Sequence, residues 1–167
     1  RIIKPSIKHD TVLVLVGSQG CGKSEIVKRL GKEWSSDSIT TMAGKEAYEQ
    51  LQGFWIIELP ELAVMKKAEV ETIKRFITKS MDSYRAAYGH HTETHQRQCI
   101  FFGTTNEYNF LKDATGERRF LPVDVNPEKA TKNVFTDFKG EEIDQVWAEA
   151  VNLFKAGEKN YISDLDI

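Results

Sequence analysis

Residues 13–30, LVLVGSQGCGKSEIVKRL, join an apolar run to a glycine-rich turn and then to a spacing of apolar residues typical of a helix. Within this stretch, residues 17–24 match the pattern GxxxxGK followed by Ser or Thr. In that pattern the glycines let backbone N–H groups curl around a β-phosphate, and the N-terminus of the following helix adds a positive dipole. The stretch therefore predicts a phosphate-binding loop formed by Gly17, Ser18, Gln19, Gly20, Cys21, Gly22, Lys23 and Ser24.

Two residues of this loop carry the expected chemistry. Lys23 is placed to neutralise the β- and γ-phosphate oxygens of a nucleotide, and the Ser24 hydroxyl is placed to bind Mg²⁺. Cys21 occupies an unrestricted position of the pattern, and we interpret it as a small space-filling residue rather than as a nucleophile. The alternative is an ordinary glycine turn, but the strand before the loop and the helix after it are what a phosphate site requires.

Strand-like and helix-like segments alternate along the chain, which predicts an α/β fold with a central, mainly parallel sheet. Continuous apolar or β-branched runs predict strands at residues 11–16, 54–57, 99–105 and 120–125. Apolar residues at helical spacing predict helices at residues 25–34, 45–51, 68–80 and 141–155. Around Gly89 the periodicity fades, and residues 82–98 predict two short strands with a projecting loop. In the helix at residues 68–80 we expect a basic, solvated face containing Lys74, Arg75 and Lys79.

Composition restricts the possible partners. A chain of 167 residues with 40% hydrophobic and 29% charged residues fits one domain with a real core. The 23 basic and 25 acidic residues nearly balance, so any contact with DNA must come from a local patch. Two cysteines and the lack of an apolar run near 18 residues predict a cytoplasmic protein that makes no membrane contact.

We expect the chain to be a piece of a longer protein, because it begins with Arg1 rather than Met and stops at the residues YISDLDI. We divide it into a leading segment at residues 1–10, a core at residues 11–125 and a C-terminal helical extension at residues 126–167.

Polar residues follow two of the predicted strands. Residues 54–62, FWIIELPEL, provide Glu58 and Glu61, and hydrolysis of a nucleotide needs one carboxylate near the metal and one that activates water. We expect Glu58 to serve the metal and Glu61 to orient or deprotonate the attacking water, although the two roles are interchangeable. Solvated acids at the end of a strand are the alternative. Asn106 follows the next run and is expected to contact the γ-phosphate or the water, although asparagine is also a common turn residue.

A pair of arginines, Arg118 and Arg119, stands just before the last predicted strand in TGERRFLPV, residues 115–123. Such a pair either forms salt bridges with Glu117 or Asp113, or offers one guanidinium to a γ-phosphate as an arginine finger. A finger of this kind normally comes from a neighbouring subunit.

The predicted projecting loop mixes aromatic rings with cations. Rings of this kind stack on bases, and cations follow the phosphate backbone, so the mixture predicts contact with single-stranded DNA. Tyrosines that pack onto the sheet, with exposed histidines, are the alternative. The candidate residues are Tyr84, Arg85, Tyr88, His90, His91 and Arg97.

Five motifs in order, GSQGCGKS, WIIELPEL, YRAAYG, FGTTNE and TGERRFLPV, resemble the virulence-associated protein E family of phage and pathogenicity-island replication proteins over residues 12–125. The resemblance implies a P-loop NTPase of AAA+ type with a three-layer α/β/α core, a β-hairpin insertion and a C-terminal helix, related to superfamily 3 helicases. It implies ATP and Mg²⁺ as cofactors, a hexameric ring on single-stranded or forked DNA, and the cytoplasm of a bacterial host.

For individual residues, the resemblance implies a sensor role for Asn106, a finger role for Arg118 or Arg119, and a DNA-contacting hairpin at residues 79–97. The preferred hypothesis is therefore an ATP-hydrolysing helicase domain. A nucleotide-gated DNA-binding module without efficient turnover remains an alternative. A P-loop kinase is a further one, although a kinase should carry several arginines in a mobile lid rather than one pair before a strand.

Overall fold

The chain alternates strands and helices, as its periodicity predicts. The structure is a computed structural model that describes residues 1–64, 67–110 and 117–159. The strands are β1 (Val12–Val16), β2 (Ser35–Ser36), β3 (Ile56–Leu59), β4 (Met81–Tyr84), β5 (Glu93–Gln96), β6 (Ile100–Thr105) and β7 (Phe120–Asp124). The α-helices are α1 (Lys23–Gly31), α2 (Glu46–Glu49), α3 (Lys67–Ile77) and α4 (Gly140–Lys155). In these ranges, no helix is long and apolar enough to cross a membrane.

Five strands form a central sheet in the order β2-β3-β6-β1-β7. Every neighbouring pair is parallel, which confirms the predicted α/β fold with a mainly parallel sheet. Parallel neighbours require a connection that crosses the sheet, so chain segments that carry helices separate them. All five strands therefore end at the same edge, and the segments that follow β1, β3 and β6 meet there.

Apolar side chains cover both faces of this sheet. Because successive residues of a strand point to opposite faces, Val12, Val14 and Val16 of β1 face one layer and Leu15 faces the other. The first layer holds the buried residues of α3 and α2, including Phe76. The second layer holds the apolar residues of α1 with Trp147 of α4. The central sheet is thus packed between helices on its two sides.

The two predicted short strands form a separate antiparallel hairpin, in which Met81 pairs with Gln96 and Tyr84 pairs with Glu93. A buried ion pair anchors its base. The Arg97 guanidinium donates to both carboxylate oxygens of Asp82 and to the Phe76 carbonyl, and the two charged side chains are 1% and 2% exposed. Arg97 also lies over the Phe76 ring, 4.7 Å from its centroid. The prediction that the Arg97 side chain contacts DNA is therefore wrong.

Two helices differ from their predictions. Lys74, expected on a solvated face of α3, is only 6% exposed, and its Nζ donates to Glu71 Oε1 over 2.7 Å. The helix α4 is present as predicted, but Ile143 is its only described buried residue. Val146 and Phe154 remain 42% and 40% exposed, and among the described residues Trp147 is the α4 side chain that packs against the apolar layer of α1.

We expect the Asp82–Arg97 pair to be a large contributor to stability. Replacing Arg97 with Met leaves a buried carboxylate without its partner, and the free energy of unfolding should fall by about 3–5 kcal/mol. Urea unfolding followed by circular dichroism measures this change. Arg85→Met, in the exposed part of the same hairpin, is the matched control and should change stability by less than about 0.5 kcal/mol. Equal effects of the two substitutions would contradict this account of the hairpin anchor.

Candidate functional site

The predicted phosphate-binding loop lies between β1 and α1, at the edge where the parallel strands end. Gly22, which precedes α1, has a φ of 90°, in the left-handed region that favours glycine. It also has no room for a side chain, because a Cβ there would lie 2.3 Å from Val134 Cγ1. The glycine at this motif position is therefore required by both backbone conformation and close packing.

The Lys23 side chain turns back into the loop. Its Nζ donates to the carbonyl oxygens of Gly17 and Ser18, each over 2.8 Å, and to Asn106 Oδ1 over 2.9 Å. Lys23 is only 8% exposed, although it is charged. These three oxygens are neutral, so the bonds orient the ammonium without cancelling its charge. The site thus brings Lys23 and Asn106 together, two residues that lie 83 positions apart in the chain.

A second contact joins Ser24 to Glu58. The Ser24 hydroxyl donates to Glu58 Oε1 over 2.6 Å, and the Thr104 hydroxyl donates to the same oxygen over 2.8 Å. Glu58 is 4% exposed and lies within β3, not after its end as the sequence suggested, because β3 extends to Leu59. Hydroxyl and carboxylate oxygens are the ligands that Mg²⁺ prefers. The structure therefore pairs the two residues expected to serve a metal.

Thr104 is a site residue that the sequence did not predict. Its hydroxyl stabilises the buried Glu58 carboxylate from the neighbouring strand β6. The available signal was a polar pair, Thr104 and Thr105, at the end of an otherwise apolar strand. Both threonines are buried, which is unusual for polar residues unless they have hydrogen-bond partners.

A cleft of about 620 Å³ opens over the loop. Glu61 lines this cleft, is exposed, and has a φ of 52°, a left-handed conformation that costs a non-glycine residue about 1–3 kcal/mol. The two candidate acids are thus separated, with Glu58 buried beside Ser24 and Glu61 at the exposed wall. The other residues that line the cleft include Gln19, Gly20, Lys23, Ser24, Thr104, Asn106, Glu107 and Phe135.

The arginine pair lies far from this cleft. In the sheet register Phe120 pairs with Val12 and Asp124 with Val16, so Arg118 and Arg119 precede the opposite end of β7. The two ends of β7 are four residue steps apart along the strand, or about 13 Å. Arg118 is exposed, whereas Arg119 is partly buried and its Nε has no hydrogen-bond partner in the described part of the chain. Asp113 and the Glu117 side chain, their proposed acidic partners, lie outside the described residues.

The hairpin exposes only some of the predicted DNA-binding residues. Tyr84 is 8% exposed, and its ring stacks on His95 with centroids 4.7 Å apart. Burial also raises the pKa of the Tyr84 hydroxyl. Tyr84 thus packs on the protein, as the alternative interpretation held, and the prediction that it offers its ring to a base is wrong. Tyr88 is fully exposed with a φ of 65°, and the remaining exposed candidates are Arg85, His90 and His91.

Solved structures of one protein region have a similar fold. An apo structure of the NrS-1 C-terminal region matches with a TM-score of 0.52 and 18% identity over 84% of this chain. An A-form apo structure of the same region matches with a TM-score of 0.49 and 18% identity over 92% of this chain. This chain spans 35% and 37% of those two chains, and at such low identity the likeness concerns the fold alone. No curated protein sequence matches this chain.

The comparison with protein families tests the resemblance carried by the five motifs. The profile of the virulence-associated protein E-like domain matches residues 1–166, which is nearly the whole chain. The match confirms the resemblance and extends it beyond residues 12–125, and the chain therefore belongs to the family of virulence-associated protein E-like domains.

Proposed function

We propose that this domain is the ATP-hydrolysing motor of a phage or mobile-element replication protein, a P-loop NTPase of AAA+ type that acts as a helicase. The observation that supports the proposal is that two contacts between predicted site residues lie at the same edge of the sheet. Lys23 lies against Asn106, and Ser24 lies against Glu58, beside an open cleft. Membership of the family supports a role in DNA replication.

Each residue of the site has a role in this reaction. The backbone of residues 17–22 and the Lys23 ammonium bind the β- and γ-phosphates of ATP. Ser24 and Glu58 would hold Mg²⁺ through their side-chain oxygens, and the cation would supply positive charge against the phosphate oxygens. The amide of Asn106, which accepts from Lys23, also orients the γ-phosphate or the attacking water.

Glu61 is the candidate base, because it lies on the exposed wall of the cleft. The water oxygen attacks the γ-phosphorus while Glu61 accepts its proton. The bond from that phosphorus to the bridging oxygen breaks, and ADP leaves with the electron pair. The strained backbone of Glu61 supports this assignment, since strain of this kind clusters at functional sites.

The arginine pair supports catalysis between subunits. Neither arginine lines the cleft of its own chain, and both precede the opposite end of β7. A neighbouring copy in a hexameric ring would bring Arg118 or Arg119 to this cleft. Arg118 is the better candidate because it is the more exposed of the two.

The hairpin tip is the proposed contact with single-stranded or forked DNA. Arg85, Tyr88, His90 and His91 are exposed, while the buried Asp82–Arg97 pair holds the base of the hairpin. The foot of the hairpin is fixed and its tip exposes aromatic and cationic side chains. Such a tip can stack on nucleobases and contact phosphates.

Two variants test catalysis between subunits. Lys23→Ala and Arg118→Ala should each reduce DNA-stimulated ATP hydrolysis by about 100-fold or more, because each removes a charge that stabilises the transition state. A mixture of the two should recover activity, since the loop of one variant is intact and the arginine of the other is present. Phosphate release, measured against protein concentration, reports this recovery.

The matched control for Arg118 is Arg75→Ala, an exposed arginine on α3 whose loss should leave hydrolysis unchanged. A mixture that remains inactive, although both variants assemble with the unmodified chain, would rule out Arg118 as a residue shared between subunits. Arg119→Ala in the same mixture then tests the second arginine.

Thiol labelling separates nucleotide binding from turnover. Cys21 is partly exposed within the loop, so MgATP should slow its reaction with a thiol reagent several-fold or more. Burial raises the pKa of the Cys99 thiol to about 11, so Cys99 stays protonated at pH 8 and is the internal control. Mass spectrometry of the labelled peptides measures both rates. Protection of Cys21 without hydrolysis by assembled rings would favour the nucleotide-gated module over the motor.

The hairpin contact predicts a loss of DNA affinity. Tyr88→Ala should weaken binding of single-stranded DNA about tenfold, because stacking of one ring on a base contributes about 1–3 kcal/mol. Fluorescence anisotropy with a labelled oligonucleotide measures the affinity. Tyr108→Ala removes an exposed tyrosine that lies outside the hairpin and should leave DNA affinity unchanged. Equal affinities for the Tyr88 variant and the unmodified chain would argue against contact through the hairpin tip.

A further inference from the structure

A turn after the last strand packs directly on the phosphate-binding loop. We call residues 133–138 the cleft turn. A Cβ atom added to Gly22 would lie 2.3 Å from Val134 Cγ1 and 3.6 Å from Phe135 Cε2, two atoms of this turn. The sequence predicts no role for this turn, because the turn lies in a stretch with no clear periodicity. The structure places it beside the most restricted residue of the loop.

Arg29 fastens the cleft turn to α1. Its guanidinium donates to the Phe138 carbonyl over 2.6 Å and to the Phe135 carbonyl over 3.0 Å. Its Nε donates to Glu25 Oε1 over 2.6 Å, which orients the guanidinium plane. Because α1 begins in the phosphate-binding loop, the same helix positions the loop and the cleft turn.

Hydrogen bonds within the turn define its backbone. The Phe135 N–H donates to Asn133 Oδ1 over 2.8 Å, and the Asn133 N–H donates to Asp137 Oδ2 over 2.8 Å. The bond from the Asn133 backbone is the main reason that the pKa of the Asp137 carboxyl is lowered. The backbone on both sides of Phe135 is therefore held in place.

The Phe135 ring is nevertheless 53% exposed and lines the cleft that contains Lys23, Ser24 and Asn106. An exposed aromatic ring on a fixed backbone, at the wall of a cleft whose other lining residues include Lys23, Ser24 and Asn106, presents an apolar face to a ligand. The phosphates of a nucleotide would occupy the end of the cleft at Lys23. The part of the nucleotide that matches the ring is its flat, apolar base, because offset stacking buries both faces.

We propose that Phe135 is the stacking platform for the base of the bound nucleotide, on a turn whose carbonyl oxygens Arg29 binds. This inference rests on the proposed function, since it requires a nucleotide in the cleft. A ring that stacks without reading hydrogen bonds tolerates any base, so it does not by itself separate ATP from GTP.

Binding of two ligands to the full chain tests the platform. MgATP carries a base, whereas magnesium tripolyphosphate offers the phosphates alone. Phe135→Ala should weaken MgATP binding about tenfold and leave tripolyphosphate binding unchanged, as measured by isothermal titration calorimetry. Phe135→Trp should keep MgATP affinity, because a larger ring preserves stacking. Phe154→Ala, which removes an exposed phenylalanine of α4, is the matched control and should alter neither ligand.

The possible outcomes distinguish this inference from the proposed function. If Phe135→Ala binds each ligand as tightly as the unmodified chain does, Phe135 does not stack on the base. The proposed phosphate site is not affected by that result. If Phe135→Ala loses both ligands to the same extent, the ring supports the loop rather than the base, and the inference is again overturned. If the unmodified chain binds neither ligand, the proposed function fails and the platform fails with it.

Discussion

The parallel register of β3, β6 and β1 is the constraint on which the site depends. Glu58 pairs with Phe102, Leu59 with Gly103, and Val16 with Thr105, so β1 and β6 end together and β3 ends two residues earlier at the same edge. A shift of one residue in β3 would turn Glu58 to the opposite face of the sheet and away from Ser24. Because the strands are buried on both faces, their apolar side chains resist such a shift, and the packing of the core therefore maintains the geometry of the site.

The polar groups at this edge satisfy one another inside the protein. Burying a charged or polar group is costly unless it forms hydrogen bonds, and Lys23 and Glu58 are both less than 10% exposed. Neutral oxygens surround the ammonium, and two hydroxyls donate to the carboxylate. On the proposed function, phosphate oxygens and a cation would take over some of these bonds, so binding would exchange partners rather than create an unpaired group.

In both the hairpin and the cleft turn, an arginine holds the chain near an exposed aromatic ring. In the hairpin, the Asp82–Arg97 pair fixes the chain below Tyr88. In the cleft turn, Arg29 fixes the carbonyl oxygens around Phe135. In both places an arginine satisfies backbone or carboxylate oxygens, and the ring remains exposed. Holding the backbone in advance lowers the entropy that would be lost when a ligand stacks on the ring.

The sequence by itself determined the features that depend on neighbours along the chain: the loop of residues 17–24, the alternation of strands and helices, the hairpin and the family. Only the tertiary structure decided which side chains are buried and which meet. Periodicity did not show that Tyr84 and Arg97 pack inward. It also did not show that Thr104 supports Glu58, or that Phe135 lines the cleft. The reason is physical, since these outcomes depend on sheet register and on contacts between residues far apart in the chain.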